Sequence, residues 1–109
     1  MNNFQIPANL SAEGQKAAEI ITAFCEENEL TSSEPVFMHP NDWSDSCGQG
    51  SQLIVMHEST DASRGLSMDG AYEQNRGDYS LYNELTQRLN DGGVYIEQVY
   101  KWCSAIRVH

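Results

Sequence analysis

Residues 93–108 constrain the fold more than any other stretch of this chain. After the Gly92-Gly93 pair they are dense in β-branched and aromatic side chains and contain no proline. Such side chains favour a pleated, half-buried surface. The apolar alternation changes phase near Lys101, which is typical of a β-bulge. We therefore predict that this stretch is the main strand of a sheet, long and bent or bulged near Lys101. Its length is sufficient to cross a small domain once, or twice if it bends.

Two helices are predicted from their end signals and from the helical spacing of their apolar residues. Ser11 is a favourable N-cap, with Glu13 in the first turn, and they predict a helix over residues 12–28. A second periodic segment, residues 79–90, ends at Gly92-Gly93, which is a strong helix stop.

Two further strands are predicted between these helices. Residues 36–38 form a short apolar run that ends before Pro40. Residues 53–56 form a continuous apolar run, which is typical of a central strand covered on both faces. Residues 1–10 form a polar lead-in, and residues 59–78, rich in glycine, serine and charge, predict a long flexible loop. Within this loop, residues 68–74 are predicted to form a helical turn.

The order of these elements predicts one α+β domain over residues 1–109. We expect a mostly antiparallel sheet of three to four strands with two helices packed on one face, in the order α-β-β-loop-α-β. No apolar run is long enough to span a bilayer. The three cysteines are odd in number and widely spaced, so we expect free thiols and a cytoplasmic protein. We expect a monomer or a homodimer.

Charge is the most informative feature for function. The chain has a formal net charge of −10. Residues 1–63 hold ten acids and one base, whereas residues 64–109 hold six acids and five bases, so the first part contributes −9 and the second −1. The few, unclustered basic residues exclude direct nucleic-acid binding of the usual kind, and a one-sided negative field attracts a basic partner.

We therefore predict a binding module, not an enzyme, whose partner is a basic protein surface. Glu26, Glu27 and Glu29 crowd the end of the first helix, where the helix dipole favours cations, and each costs a few tenths of a kcal/mol there. Exposed tyrosine and tryptophan are frequent at interface hot spots. The predicted partner-binding residues are Glu19, Glu26, Glu27, Glu29, Glu34, Asp42, Trp43, Asp45 and Tyr72.

No catalytic or metal-binding motif is present, and we predict no catalytic residue, metal or cofactor. Cys47 precedes a strand, whereas nucleophilic thiols favour helix N-termini. His39, Cys47 and His57 do not have the paired spacing of a structural zinc site. Two alternatives stay open: a small cytosolic enzyme or ligand-binding domain with a pocket near His57 and residues 59–78, and a dimer formed through the edge of the last strand.

In size, charge and architecture the chain resembles small acidic inhibitors carried by phages and plasmids, such as anti-CRISPR and anti-restriction proteins, and toxin-neutralising immunity proteins. No residue motif carries this resemblance, and no site residue follows from it. It implies an inhibitor that acts as a nucleic-acid mimic, because carboxylates spaced along a helix can replace successive phosphates. Such a protein occupies the basic cleft of a nucleic-acid-handling protein.

Overall fold

The computed structural model describes residues 4–32, 34–42, 50–57, 61–74, 76–100 and 103–109, with residue 74 as backbone only. Within these residues it contains four helices, four strands and one 3₁₀ turn. In chain order they are α1 (Ala12–Glu27), β1 (Phe37–Met38), the 3₁₀ turn (Pro40–Asp42), β2 (Leu53–Met56), α2 (Ser63–Leu66), α3 (Met68–Gln74), α4 (Ser80–Asp91), β3 (Val94–Tyr100) and β4 (Cys103–Val108).

The four strands form one antiparallel sheet in the spatial order β1-β2-β4-β3. The register places Ile106 of β4 opposite Leu53 on one side and Ile96 on the other. The predicted α+β class with an antiparallel sheet is therefore confirmed. The radius of gyration, 12.4 Å, is that of one compact domain of this length.

The main core lies between one face of the sheet and the two long helices. It includes α1 and α4 residues at helical spacing and sheet residues at alternate positions: Ala17, Ile21, Phe24, Leu85, Leu89, Leu53, Val55, Val94, Ile96 and Ile106. On β2, Ile54 is also buried, although it points to the opposite face. The prediction that this strand is covered on both faces is confirmed.

The last part of the chain forms two strands rather than one long bulged strand, so it crosses the sheet twice. These strands, β3 and β4, form an antiparallel hairpin in which Tyr100 pairs with Cys103. A register shift does occur, between Gln98 and Tyr100. Residues 101 and 102 include none of the usual turn residues, which is why the alternation looked like one strand with a change of phase.

Residues 59–78 are less loop-like than predicted, because α2 and α3 lie within them. The helical turn predicted over residues 68–74 is confirmed as α3, whereas α2 was not predicted. The glycines that suggested a loop allow close packing instead. A Cβ at Gly65 would lie 2.9 Å from the Phe24 ring, and one at Gly70 would lie 2.1 Å from the Ser63 carbonyl oxygen. Short helices that pack this closely need glycine at the contact, so glycine was misleading as a helix breaker here.

The direction of each element defines two ends of the molecule. At the N-terminal end of α1, His39 after β1 contacts the Asn9 carbonyl oxygen at 3.1 Å, and Ser11 bonds Gln52 before β2. At the C-terminal end of α1, Thr31 N donates to Asp61 just before α2. The 16 residues of α1 separate the two ends by about 24 Å at 1.5 Å per residue.

Candidate functional site

Glu19 and Glu26 share the exposed side of α1. They are seven residues apart, which is close to two helical turns and about 10 Å along the axis. Both are exposed, and Glu19 accepts a hydrogen bond from Gln15 Nε2 at 3.0 Å. The opposite side of α1 carries the buried residues of the core. The structure therefore places these two predicted carboxylates together in solvent.

The C-terminal end of α1 is closed by a Schellman motif with glutamate at its left-handed position. Leu30 N donates to the Cys25 carbonyl oxygen at 2.8 Å, and Glu29 N donates to that of Glu26 at 3.3 Å. Glu29 has φ +56, a conformation that usually requires glycine and that costs a side-chain-bearing residue about 1 kcal/mol. Leu30 is buried and completes the cap.

Glu29 is thus unfavourable in two ways at once. It strains the backbone, and it places a negative charge at the negative end of the helix dipole. The last turn of α1 contains no basic residue to offset this. Glu26, Glu29 and Glu34 are all exposed and form no ion pair within the described residues; we call these three residues the acidic end.

Glu27 has a different role from its neighbours. It pairs with Arg88 of α4, which also binds Glu84 at 3.1 Å. The Arg88 guanidinium lies 5.3 Å from the centre of the Phe24 ring, so this network covers the core. Glu27 therefore joins α1 to α4 and differs from the unpaired carboxylates of the acidic end.

Asp61 lies beside the acidic end and is already engaged. It accepts hydrogen bonds from Thr31 N at 3.0 Å and from Arg64 Nε at 2.9 Å. Burial by itself would raise the pKa of this carboxyl group, but these hydrogen bonds and the Arg64 charge hold the pKa below its usual value. Asp61 keeps its charge while it ties α2 to the segment after α1.

The remaining predicted acids do not join this group. Asp42 is exposed in the 3₁₀ turn, at the N-terminal end of α1, so the length of that helix separates it from Glu29. Trp43 and Asp45 lie outside the described residues. The sequence could not show this separation, because it depends on β1 running antiparallel to α1.

Tyr72 lies on α3, and its side chain is 68% exposed. Met68, one helical turn earlier, is 54% exposed. Residues four apart lie side by side on a helix, so the two form one apolar patch. We call this pair the α3 patch. The sequence predicted that Trp43 or Tyr72 is exposed in a loop; Tyr72 is exposed, but on a helix, and its neighbour Met68 was not predicted.

A polar cluster fixes α3 to the sheet. Gln98 on β3 accepts from Met68 N at 3.1 Å and donates to Asp69 Oδ2 at 2.6 Å. Beside it, His57 Nε2 lies 3.0 Å from Ser104 Oγ. Burial lowers the pKa of His57 to about 4, against a smaller upward effect of Asp69. His57 is therefore neutral at physiological pH.

The alternative site near His57 has little access to solvent. His57 and Ser104 are each 1% exposed, so a substrate does not reach them in this arrangement. Arg64, within residues 59–78, is paired with Asp61, and Cys47 lies outside the described residues. A shallow groove of about 130 Å³ lies elsewhere, at the N-terminal end of α1, between Ser11, His39 and Gln52.

The described part of the chain contains no candidate metal site, and its Cys25 thiol is not reactive. No group of three or more histidine, cysteine or acidic residues there is close enough to hold a metal ion. His39 and His57 lie at opposite ends of β2, about 13 Å apart at 3.3 Å per residue. Burial, with the charges of Asp61 and Glu26, raises the pKa of Cys25 to about 12, so this thiol is unreactive.

Comparison with protein-family models, with curated proteins and with solved structures finds no match to this chain. Among the described residues, no helix combines the length and the apolar character needed to cross a membrane.

Sequence reasoning missed the strained backbone of Glu29 and the polar cluster under α3. The strained backbone of Glu29 does have a sequence signal, because the apolar Leu30 stands two positions after Asn28, the polar residue at the helix end. The polar cluster joins residues from three distant segments and leaves no local pattern.

Proposed function

We propose that this chain is a small acidic inhibitor that binds another protein through its acidic end. The partner is a basic surface of a nucleic-acid-handling protein, and the inhibitor occupies that surface in place of nucleic acid. The observation that carries the proposal is Glu29. Glutamate is unfavourable both in a left-handed backbone conformation and at the negative end of a helix dipole, and Glu29 has no ion pair within the described residues to stabilise it. Such a residue is expected where binding, rather than stability, determines the sequence.

The distribution of paired and unpaired charge supports the proposal. Three arginines are each taken up by nearby carboxylates: Arg64, Arg88 and Arg107. They neutralise charge along α2, α4 and β4 and leave the acidic end unpaired. A concentrated negative field of this kind raises the rate of encounter with a basic groove by roughly 10- to 1000-fold at low salt.

The spacing of Glu19 and Glu26 supports mimicry of a phosphate backbone. Their axial separation of about 10 Å corresponds to about three phosphate steps of roughly 3.4 Å along one strand. In kind, this resembles the anti-CRISPR, anti-restriction and immunity proteins of phages and plasmids. Such an origin, and action in the cytoplasm, belong to the proposal.

The test compares two charge-matched double variants. Glu26→Gln with Glu29→Gln removes two charges at the acidic end, and Glu13→Gln with Asp42→Asn removes two charges at the N-terminal end of α1. Proteins captured from host extract at low and high salt are identified and titrated with each variant. We expect the first variant to weaken binding at least tenfold and to reduce its salt dependence, while the second binds within about twofold of wild type.

Equal weakening by both variants would show that net charge alone matters, without a site. Unchanged binding by the first variant would remove the support for the acidic end. Both variants leave Glu27, Asp61 and the ion pairs intact, so we expect both to remain folded. Circular dichroism of each variant is the control that separates a loss of binding from unfolding.

A further inference from the structure

The α3 patch consists of two exposed apolar side chains on a short helix that several contacts hold in place. Met68 and Tyr72 are two of the four large apolar residues that are exposed within the described chain; Tyr79 and Val108 are the others. Single exposed apolar residues need no explanation, but two adjacent ones on a fixed element form a candidate interaction surface, and tyrosine is enriched at interface hot spots.

Several contacts fix the position of α3. Its first residues bond Gln98 of the sheet, and Gly70 N donates to Ser67 Oγ at 2.9 Å. Ala71 is fully buried, and no side chain would fit between Gly70 and Ser63. A helix held on one side by so many contacts presents Met68 and Tyr72 in one orientation, which lowers the entropic cost of binding.

The α3 patch lies at the same end of the molecule as the acidic end. Helix α3 packs on α2 at Gly70, and α2 packs on Phe24 and Leu30 at Gly65. The molecule measures 34 × 27 × 25 Å. An interface of about 800 Å² per partner is wide enough to cover both surfaces at once.

The charges around Tyr72 are mostly negative. Glu73 follows it in the chain and is exposed, as is Asp78, and Arg76 is the exposed base nearby. An aromatic ring beside carboxylates has the chemistry of a base beside phosphates. Protein grooves that bind single-stranded nucleic acid combine basic side chains with aromatic platforms on which bases stack.

We propose that Tyr72, with Met68, inserts into the base-stacking part of a basic protein groove that normally holds single-stranded nucleic acid. The inference rests on the proposed function and defines its partner class. The acidic end contacts the basic rim of the groove, and the Tyr72 ring takes the place of a base. Charge sets the rate of encounter, and the ring sets the lifetime of the complex.

The first experiment maps the contact. A photo-crosslinking benzoylphenylalanine replaces Tyr72 in one sample and Val108, exposed at the opposite end, in the other. Both are irradiated in host extract, and crosslinked peptides are identified by mass spectrometry. We expect position 72 to crosslink to the nucleic-acid groove of a basic protein and position 108 not to do so. Crosslinking from 72 that does not exceed that from 108 would overturn the inference.

The second experiment uses the crosslinked protein in purified form. We expect Tyr72→Ala to weaken binding about 30-fold through faster dissociation, with its salt dependence unchanged, and Tyr72→Phe to bind nearly as wild type. Val108→Ala is the matched control. A single-stranded oligonucleotide should displace the inhibitor more effectively than a duplex of the same length.

The outcomes separate this inference from the proposed function. If Tyr72→Ala binds as wild type while the Glu26 and Glu29 variant fails, the α3 patch is not in the interface and the charge-based function stands. If the duplex competes better than the single strand, the base-stacking role is wrong. If neither salt nor the Glu26 and Glu29 variant affects binding, the proposed function itself is wrong.

Discussion

The two long helices end with the same backbone geometry but with opposite chemistry. After α4, Gly93 has φ +87, Arg88 lies in the last turn, and Lys16 Nζ lies 3.4 Å from the Gly92 carbonyl oxygen. After α1, Glu29 has φ +56, the last turn contains no basic residue, and the nearby Arg88 guanidinium is paired with Glu27. The end of α4 has glycine in the left-handed position and a basic side chain, that of Lys16, beside a terminal carbonyl group, as stability favours. The end of α1 has neither.

The difference indicates where stability is the main requirement and where it is not. Both helices close over one core, so their ends face similar demands for packing. Local sequence rules are usually obeyed except where binding or catalysis imposes another requirement. The end of α1 is therefore the better candidate for a functional surface. The end of α4 shows which residues are expected at a helix end when stability alone determines the sequence.

Removing carboxylate charge by lowering the pH is the simplest way to test this comparison. The pH can be lowered only until His57 begins to take up a proton, because that destabilises the fold. The pKa of His57 is about 4 in the folded state and about 6.5 when unfolded, so the unfolded chain binds more protons. Stability is therefore fully present above pH 6.5 and falls as the pH decreases toward 4. The shift corresponds to a loss of about 3 kcal/mol by pH 4.

Urea unfolding at pH 7 and pH 5 in wild type and in His57→Gln measures this effect. The carboxylates add the same pH dependence to the stability of both proteins. The difference between the stability lost by wild type and by His57→Gln therefore measures the contribution of His57. We expect wild type to lose about 2 kcal/mol more than the variant between these pH values. Equal losses would show that His57 does not remain neutral in the fold. The helix ends are best compared at pH 7 or above.

The next largest effect is expected at the end of α4. In Gly93→Ala the new Cβ meets no atom within 4 Å, so any cost arises from the positive φ alone. We expect a loss of about 1 kcal/mol in the free energy of unfolding. Gly77, with φ +78 and equally open surroundings, is the matched site; it follows the short helix α3, where its N–H donates to the Ala71 carbonyl oxygen. A cost at Gly93 but none at Gly77 would mean that the positive φ is not the cause.

The sequence predicted the two long helices and β2 to within about one residue, because each carries strong local signals. Ser11 accepts from Gly14 N at 3.1 Å as an N-cap, and Gly92-Gly93 ends α4. It failed for the hairpin, because residues 101 and 102 are not typical turn residues, and for α2, where Gly65 serves packing. At α3 it predicted a helical turn within a loop. Among the site residues, the exposure of Glu26 and Tyr72 followed from local pattern. The pairing of Glu27 with Arg88 and the isolation of Asp42 depended on tertiary structure.

The smallest effect is the most direct test of the end of α1. Glu29→Gln removes the charge and keeps the strained backbone, and we expect it to stabilise the fold by a few tenths of a kcal/mol. Glu29→Gly also relieves the strain, and we expect a gain of about 0.5–1 kcal/mol despite the greater freedom of glycine in the unfolded chain. Thermal and urea unfolding at pH 7 measure both.

If Glu29→Gly is more stable yet binds its partner more weakly, the natural residue has been retained at a cost to stability because binding requires it. If the variant is more stable and binds as well as wild type, the strain at Glu29 has no connection with function. The end of α1 would then differ from the end of α4 without functional cause, and the strongest support for the acidic end would be lost. A variant that is less stable would show that the Glu29 side chain stabilises the cap, and the same support would fail.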